Sequence, residues 1–219
     1  MVFQLDDELW FPDPHLGEPD GLIAVGGDLS VDRLLLAYSY GIFPWFSFRD
    51  CDEPYWYCPM QRFVIFPSEI HISHSMHTLM RKNLYRCTLN EDFEGVISHC
   101  SQLRYDEVGA WLGDDMIAAY TELHRQHLAT SVEVWERQAD GGDRLVGGLY
   151  GVSIGRCFFG ESMFSLEPNA SKLALIHLSR FMSERGGLLI DCQLETHHLR
   201  SMGGRFIPYE EYLKIIHQE

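Results

Sequence analysis

Residues 131–164 read SVEVWERQADGGDRLVGGLYGVSIGRCFFGESMF, and this stretch decides the fold. It contains three runs that are rich in strand-forming residues, and a glycine-containing turn separates each run from the next. The runs are Ser131–Trp135, Arg144–Ile154 and Cys157–Phe164, and the turns are Asp140–Asp143 and Gly155–Arg156. Because turns this short join antiparallel neighbours, the stretch predicts a three-stranded antiparallel meander.

A long helix and one more strand follow the meander. Ala170–Arg185 carries apolar residues at helical spacing, with Asn169 placed to cap it and Gly186 placed to end it. Leu188–Gln193 is then a strand candidate. A meander, a long helix and a strand occur in this order in the N-acetyltransferase-like α/β fold, so the chain resembles that fold.

The first part of the chain has a different composition. It is rich in proline, glycine and aromatic residues, and its one helix candidate is Val31–Tyr40, with Ser30 as N-cap. Asp52–Pro59 contains two prolines and predicts a linker or loop. We therefore expect an α/β (α+β) protein with a small N-terminal domain, residues 1–58. The second domain, residues 59–219, is expected to be N-acetyltransferase-like, with a mixed, mainly antiparallel sheet.

Shorter elements are expected between Pro59 and the meander. The pattern predicts a strand at Gln61–Pro67 and helices at Ser73–Lys82, at Asp92–Ser101 and from Asp114 onwards.

The composition is that of a globular protein, with 219 residues, 46% hydrophobic and 22% charged. No window approaches the ~18 uncharged apolar residues of a membrane span. The first ten residues are acidic and lack the basic residues of a secretory signal, which favours the cytosol. The six cysteines form no C-x-x-C pair, so we expect reduced thiols.

The net charge of −15 argues against nucleic-acid binding over the whole surface, but it allows a local basic patch. Arg81, Lys82 and Arg86 could form such a patch, with Arg62 and Arg104 as possible additions.

The common nucleotide-binding motifs are absent from the sequence. It has no phosphate loop and no dinucleotide fingerprint, and Gly147–Gly151 lies between two strands, where no helix N-terminus follows to hold a pyrophosphate. His71, His74 and His77 recur every third residue, which favours a solvated or phosphate-facing stripe over convergent metal ligands. We expect neither a metal nor a cofactor.

Carboxylates occur inside two otherwise apolar strands. Glu161 and Asp191 would be costly to bury unless they are paired or used, and they flank one helix, so they could meet in one cleft. A structural network, in which Lys172 pairs with either carboxylate and Gln193 satisfies backbone groups, explains the same pattern. The spacing leaves both interpretations open.

Six stretches, in order along the chain, resemble the leucyl/phenylalanyl-tRNA–protein transferase family. They are Glu18–Ser30 (EPDGLIAVGGDLS), Ala37–Ser47 (AYSYGIFPWFS), Leu145–Gly151 (LVGGLYG), Phe159–Ser165 (FGESMFS), Asn169–Lys172 (NASK) and Leu189–Gln193 (LIDCQ). The resemblance implies a small N-terminal domain beside an N-acetyltransferase-like domain, in agreement with the element order.

The resemblance also implies an activity. Members of this family are aminoacyltransferases (leucyltransferases) that move leucine or phenylalanine from aminoacyl-tRNA to the N-terminal α-amine of proteins beginning with Lys or Arg. This transfer marks the acceptor for N-degron degradation. Methionine is a further candidate for the amino acid that this chain transfers. The implied partners are the aminoacyl-tRNA and the acceptor protein or peptide, without a cofactor, metal or membrane.

The resemblance assigns roles to residues of this sequence. Asp191 and Gln193, expected to alternate on one strand face, match the pair that positions the attacking amine. Glu161 matches a catalytic-cleft residue that helps to hold the basic acceptor. Aromatic residues implied at the substrate site are Tyr38, Trp45, Trp111 and Tyr120, and the last three match aromatic residues near the tRNA 3′-adenosine. An apolar pocket for the transferred side chain is implied at Leu149, Met163, Leu175, Leu178 and Ile190, and tRNA contacts at Arg81, Lys82 and Arg86.

Two rival functions are open at this level. A coenzyme-A-dependent N-acetyltransferase shares the expected fold, but the missing phosphate loop argues against it. A non-catalytic module that only binds N-terminal residues would not need Asp191 and Gln193, so the presence of this pair argues against it.

Overall fold

Two β-sheets organise the chain, and the computed structural model describes residues 1–45, 53–105, 113–139 and 141–218. The four strands of the first sheet are β1 (Phe3–Leu5), β2 (Leu22–Gly26), β3 (Phe43–Trp45) and β4 (Tyr55–Tyr57). Their order is β1-β2-β4-β3, and every pairing is antiparallel except that between β1 and β2. Helix α1 (Val31–Ser39) links β2 to β3, and the Ser30 Oγ accepts a hydrogen bond from the Arg33 N–H at its start.

The second sheet has seven strands. They are β5 (Gln61–Ile65), β6 (Tyr85–Leu89), β7 (Ala129–Arg137), β8 (Asp143–Ile154), β9 (Cys157–Ser165), β10 (Leu189–Asp191) and β11 (Arg205–Pro208). Their order is β11-β5-β10-β9-β8-β7-β6, and every pairing is antiparallel except that between β9 and β10. The chain is therefore a mixed, mainly antiparallel α/β protein, as the sequence predicts.

Helices cover both faces of the second sheet. They are α2 (His74–Arg81), α3 (Phe93–Tyr105), α4 (Asp114–Arg125), α5 (Ala170–Glu184), α6 (His197–Ser201) and α7 (Tyr209–Ile216), with short 3₁₀ turns at Pro14–Leu16 and Pro67–Glu69. Helix α5 packs against the Leu149 face of β8, whereas α3 and α4 pack against the Tyr150 face. The start of α5 lies against Gly147, where a Cβ would stand 2.4 Å from the Ala170 Cβ. None of the helices in the described ranges combines the length and apolar character needed to cross a membrane.

The predicted core order is confirmed. Strands β7, β8 and β9 form the antiparallel meander, α5 follows it, and β10 then pairs in parallel with β9. Cys58, Cys87, Cys157 and Cys192 are free thiols, while Cys51 lies outside the described part of the chain.

Three local predictions are wrong. The expected linker at Asp52–Pro59 contains β4, because the Trp56 side chain is fully buried and its indole N–H donates to the Gly26 carbonyl at 2.8 Å. Asn169 does not cap α5 with its side chain, since its backbone is left-handed at φ 70°. The strand predicted at Leu188–Gln193, β10, ends at Asp191, because the Gln193 backbone is also left-handed, at φ 60°. Asp191 and Gln193 therefore do not alternate on one strand.

Candidate active site

A cavity opens beside the second half of β9. Strand β10 pairs with β9 only as far as Asp191 opposite Phe159, whereas β9 continues to Ser165. The cavity next to this unpaired stretch has a volume of about 400 Å³. Residues from β3, β8, β9, β10, α5 and α6 line it. Both carboxylates that the sequence singles out, Glu161 and Asp191, are among these residues.

Glu161 is the centre of a buried polar network. The Tyr38 hydroxyl donates to its Oε1 at 2.6 Å, the Tyr120 hydroxyl to its Oε2 at 2.9 Å, and the Gln193 side-chain N–H to its Oε1 at 3.0 Å. The two tyrosine oxygens are also 2.7 Å apart. Elements that are distant in the sequence thus converge on the Glu161 carboxylate. We call Glu161, Gln193 and Asp191 the polar wall of the cavity.

The electrostatics of Glu161 suit proton exchange near neutral pH. Burial raises the pKa of its carboxyl group to about 7; the two tyrosines and Gln193 lower this pKa, and the Asp191 charge raises it. Burial likewise raises the pKa of Tyr38 and Tyr120 well above the usual range, and the Glu161 charge adds to both shifts. The hydroxyls therefore stay protonated and act as donors.

Asp191 is fully buried and paired with an arginine. Its Oδ2 accepts hydrogen bonds from Arg62 Nη2 at 2.5 Å and from the Tyr212 hydroxyl at 2.7 Å, and its Oδ1 accepts the Gln193 backbone N–H at 2.8 Å. The alternative pairing with Lys172 is wrong, because Arg62 occupies that position. Burial lowers the pKa of Arg62 and the adjacent Asp191 charge raises it, with a net upward shift.

A second group of the residues that line the cavity is apolar. All five residues predicted for the side-chain pocket line it: Leu149, Met163, Leu175, Leu178 and Ile190. We call these five residues the apolar wall. Four of them are buried and also belong to the core, whereas Met163 is only half-buried. Met163 is thus the member that faces the cavity most openly.

The aromatic residues predicted for the substrate site differ in whether they line the cavity. Trp45 lines the cavity and is partly exposed, so its ring can meet a ligand. Tyr38 and Tyr120 are buried behind Glu161, so neither offers a ring face to an adenine; their contact with Glu161 replaces the stacking expected for Tyr120. Trp111 lies outside the described residues.

The predicted tRNA contacts lie away from the cavity. Arg81 and Lys82 are exposed at the end of α2, on the same helix as His74 and His77. Arg86 is bound by Glu91 at 2.9 Å and Asp143 at 3.0 Å, so its charge already has partners. Arg62 is not part of any surface patch, because it is fully buried. The side chain of Arg104 lies outside the described part of the chain.

The sequence reasoning missed several residues of the site. Arg62 stands inside the apolar strand β5, which is the same signal that singled out Glu161 and Asp191. Ser162 Oγ and His198 Nε2 are buried at the cavity and have no hydrogen-bond partner among the described residues. Burial and the nearby Lys172 charge lower the pKa of His198, which is therefore neutral at pH 7. Both groups are polar atoms at the cavity whose hydrogen-bonding capacity no described residue uses.

Metal ligation has no support in the described ranges, where no three His, Cys, Asp or Glu side chains converge. The site therefore offers a buried carboxylate with pKa near neutrality, an amide beside it, and an apolar pocket, all in one cavity.

Known proteins resemble this chain over nearly its full length. Residues 64–217 match the family described as leucyl/phenylalanyl-tRNA protein transferase, and residues 27–60 match the N-terminal domain of the same family. Proteins named leucyl/phenylalanyl-tRNA–protein transferase are similar to it. Those of Nitrosomonas europaea and Nitrosospira multiformis are 47% and 48% identical; the matches cover 100% and 97% of this chain and 90% and 89% of those proteins.

A relative of the same name from Anaeromyxobacter sp. strain K is 46% identical over 97% of this chain and 88% of its own length. Among solved structures, L-PGS from Bacillus licheniformis shares 8% identity at a TM-score of 0.48, over 90% of this chain and 73% of that one. A structural likeness at this level supports no conclusion about activity.

Proposed function

The chain belongs to the leucyl/phenylalanyl-tRNA protein transferase family, and we propose from this premise which amino acids and acceptors it uses. It is an aminoacyltransferase that takes its amino acid from aminoacyl-tRNA and attaches it to the N-terminus of a protein. We propose that the amino acid is leucine or phenylalanine, with methionine as a third candidate. The proposed acceptors begin with Arg or Lys, and the transfer marks them for degradation.

One observation carries this proposal: the residues of the polar wall and of the apolar wall line a single cavity. The apolar wall presents no charged group, so it favours an apolar side chain at about 0.8 kcal/mol for each buried methylene group. A cavity of about 400 Å³ accommodates leucine, methionine or phenylalanine. The transferred residue would lie on the apolar wall, with its ester carbonyl directed towards the polar wall.

The polar wall would receive the acceptor amine. At neutral pH this amine is largely an ammonium ion, which the Glu161 carboxylate attracts. Glu161 can take a proton from it, because the pKa of Glu161, about 7, is close to that of an α-amine. Since the Gln193 amide donates its N–H to Glu161, its carbonyl oxygen is left to accept an N–H of the amine.

The reaction then needs little further chemistry. The amine lone pair forms a bond to the ester carbonyl carbon, and the bond from that carbon to the ribose oxygen breaks. The nitrogen gives up a second proton as the amide forms. One of the two protons passes to the ribose oxygen, which leaves as a hydroxyl, and the other is released to solvent, so Glu161 returns to its starting state. Because the ester is already activated, the enzyme mainly orients and desolvates the two reactants.

Asp191 does not serve as the base in this scheme. It is fully buried and forms an ion pair with Arg62, whereas Glu161 has no ion-pair partner among the described residues. The role of Asp191 is to carry charge and hold geometry beside the amine. Trp45 is the described aromatic residue placed to stack on the terminal adenine of the tRNA, and Arg81 and Lys82 would contact its phosphates.

We also keep two broader proposals. The division into residues 1–58 and 59–219 is supported by the two sheets, because β1–β4 lie in the first range and β5–β11 in the second. A cytoplasmic location is supported by the aminoacyl-tRNA donor and by the free thiols of Cys58, Cys87, Cys157 and Cys192.

One assay tests the function against its rivals. The protein is mixed with leucyl-tRNA, phenylalanyl-tRNA, methionyl-tRNA or acetyl-coenzyme A, and with peptides that begin with Arg, Lys or Ala. We expect the Arg and Lys peptides to gain the mass of one leucine or phenylalanine residue. A gain of one acetyl group would instead identify an N-acetyltransferase. Peptide binding without any mass change would identify a module that only binds.

A further inference from the structure

Arg62 and Tyr212 reach Asp191 from distant parts of the fold. Arg62 lies on β5 and Tyr212 on α7, and both donate to the same carboxylate oxygen of Asp191. All three side chains are at most 1% exposed. Neither Arg62 nor Tyr212 lines the cavity, so any effect on the reaction passes through Asp191.

Two aromatic rings and two hydrogen-bond acceptors hold the Arg62 guanidinium, and its Nε has no hydrogen-bond partner among the described residues. The guanidinium lies 5.0 Å from the Phe43 ring centre and 4.7 Å from the Tyr212 ring centre, and its Nη1 donates to the Gly41 carbonyl at 2.5 Å. Gly41 leaves room for this arrangement, because a Cβ on it would stand 2.5 Å from the Tyr212 ring. The donors of Asp191 are therefore fixed in position before any substrate binds.

The second oxygen of Asp191 holds Gln193. Gln193 has a left-handed backbone, at φ 60°, which non-glycine residues adopt only where local contacts compensate the strain. Two contacts do so here: its backbone N–H donates to Asp191 at 2.8 Å, and its side-chain N–H donates to Glu161 at 3.0 Å. The Gln193 amide points at Glu161 because Asp191 holds the backbone in this turn.

We propose that Arg62 and Tyr212 are positioning residues for the transfer reaction. Together they fix the Asp191 carboxylate, Asp191 fixes the left-handed turn at Gln193, and this turn directs the Gln193 amide to the amine beside Glu161. The inference deepens the proposed function and rests on it. It assigns a role in the reaction to a C-terminal helix that contributes no residue to the cavity.

The test compares Tyr212→Phe with Tyr209→Phe. Tyr212→Phe removes the hydroxyl that binds Asp191 and keeps the ring against Arg62. Tyr209 is on the same helix, is also buried, and donates its hydroxyl to the Tyr40 carbonyl at 2.8 Å without contacting Asp191. We expect Tyr212→Phe to lower the single-turnover rate about tenfold, as for loss of a hydrogen bond to a charged group. The KM values for aminoacyl-tRNA and peptide should stay within about twofold.

The control variant should keep the parental rate, although it loses a comparable buried hydrogen bond. Equal rates for the two variants would overturn the proposal. So would a loss confined to KM.

A double-mutant cycle tests the proposed order of contacts. In a Gln193→Ala background, the amide that Tyr212 helps to position is gone, so Tyr212→Phe should then cost less than about twofold in rate. The same factor in both backgrounds would show that Tyr212 acts elsewhere. Arg62→Lys keeps the charge but gives up the planar geometry by which Nη1 binds the Gly41 carbonyl while Nη2 binds Asp191. It provides a second variant with the same expected coupling to Gln193→Ala. If the parent protein showed no transfer, the proposed function itself would be refuted. Failure of the proposed function is thus distinguished from failure of the positioning role of Arg62 and Tyr212.

Discussion

The two walls of the cavity are built in opposite ways. On the polar wall each carboxylate has several named donors at fixed distances, drawn from α1, α4, β5 and α7. On the apolar wall five side chains share a surface without directional contacts. A hydrogen-bonded network fails when one member is lost, because a buried partner is left unsatisfied, whereas apolar surface changes gradually with area. The reaction therefore depends on a few discrete contacts, and the choice of amino acid depends on a fit that can be tuned.

The largest effect is expected at Asp191. Asp191→Asn removes the negative charge from a fully buried pair and leaves Arg62 without its counter-ion. The free energy of unfolding should fall by about 3–5 kcal/mol, and transfer should fall with it. Urea unfolding measures the change, with Asp7→Asn at an exposed position as the matched control. An unchanged midpoint would mean that Arg62 finds another partner or tolerates having none.

The second effect concerns Glu161 and depends on pH. Its pKa rises from 4.5 in the unfolded chain to about 7 in the folded protein, so its contribution to stability is complete below pH 4.5 and is lost as the pH rises through 7. Above pH 8 the buried carboxylate should cost about 3 kcal/mol, because each tenfold change in proton affinity corresponds to about 1.4 kcal/mol. Glu161→Gln removes this titration.

Thermal melting of the parent and of Glu161→Gln at pH 5 and pH 8 measures the difference. The variant should gain stability relative to the parent as the pH rises, while its transfer rate falls about a hundredfold at pH 7 because the proton acceptor is lost. Parallel melting curves for the two proteins would contradict the raised pKa.

A smaller, graded effect is expected on the apolar wall. Met163→Ala enlarges the pocket, so the ratio of leucine to phenylalanine transfer should fall about five- to tenfold, within the range for small changes in apolar fit. Competition between leucyl-tRNA and phenylalanyl-tRNA measures the ratio. Met80→Ala, at a half-buried position away from the cavity, is the control. An unchanged ratio would mean that Met163 only packs.

The smallest effect is expected outside both walls. Changing Arg81 and Lys82 together to Ala should weaken leucyl- and phenylalanyl-tRNA binding alike and reduce the salt dependence by at most about two charges. Arg125→Ala with Lys214→Ala removes the same charge from other exposed helix positions. Filter binding at several salt concentrations measures both pairs of variants. A loss confined to one aminoacyl-tRNA would assign Arg81 and Lys82 to the amino-acid pocket.

The sequence predicts the parts of the fold that depend on local pattern. The meander and α5 follow from alternation, glycine turns and helical spacing, and each is confirmed. The family resemblance supplies the apolar wall, whose five residues all line the cavity. The roles of the individual site residues stay predictions.

The errors come from contacts that are distant in the sequence or from backbone strain. Arg62 and Asp191 are 129 residues apart, so no local pattern distinguishes Arg62 from Lys172 as the partner. The end of β10 depends on the hydrogen bond between the Gln193 backbone and Asp191, which forms only once that carboxylate is fixed. The short strand β4 is defined by its pairing with β2 and β3 rather than by its own residues.

The Arg62 guanidinium also sets how the molecule unfolds. It binds the Gly41 carbonyl, just before the third strand of the first sheet, and the Asp191 carboxylate of the second sheet. Separating the two sheets would expose the Gly41 carbonyl and leave the buried Arg62 Nη1 without that acceptor. Neither sheet can therefore melt while the other stays native. Calorimetry should therefore show a single endotherm for the whole chain. A fragment that starts after residue 58 would keep the Asp191 counter-ion but lose the Gly41 carbonyl and the Phe43 ring beside the same guanidinium, and so the small sheet stabilises the larger one.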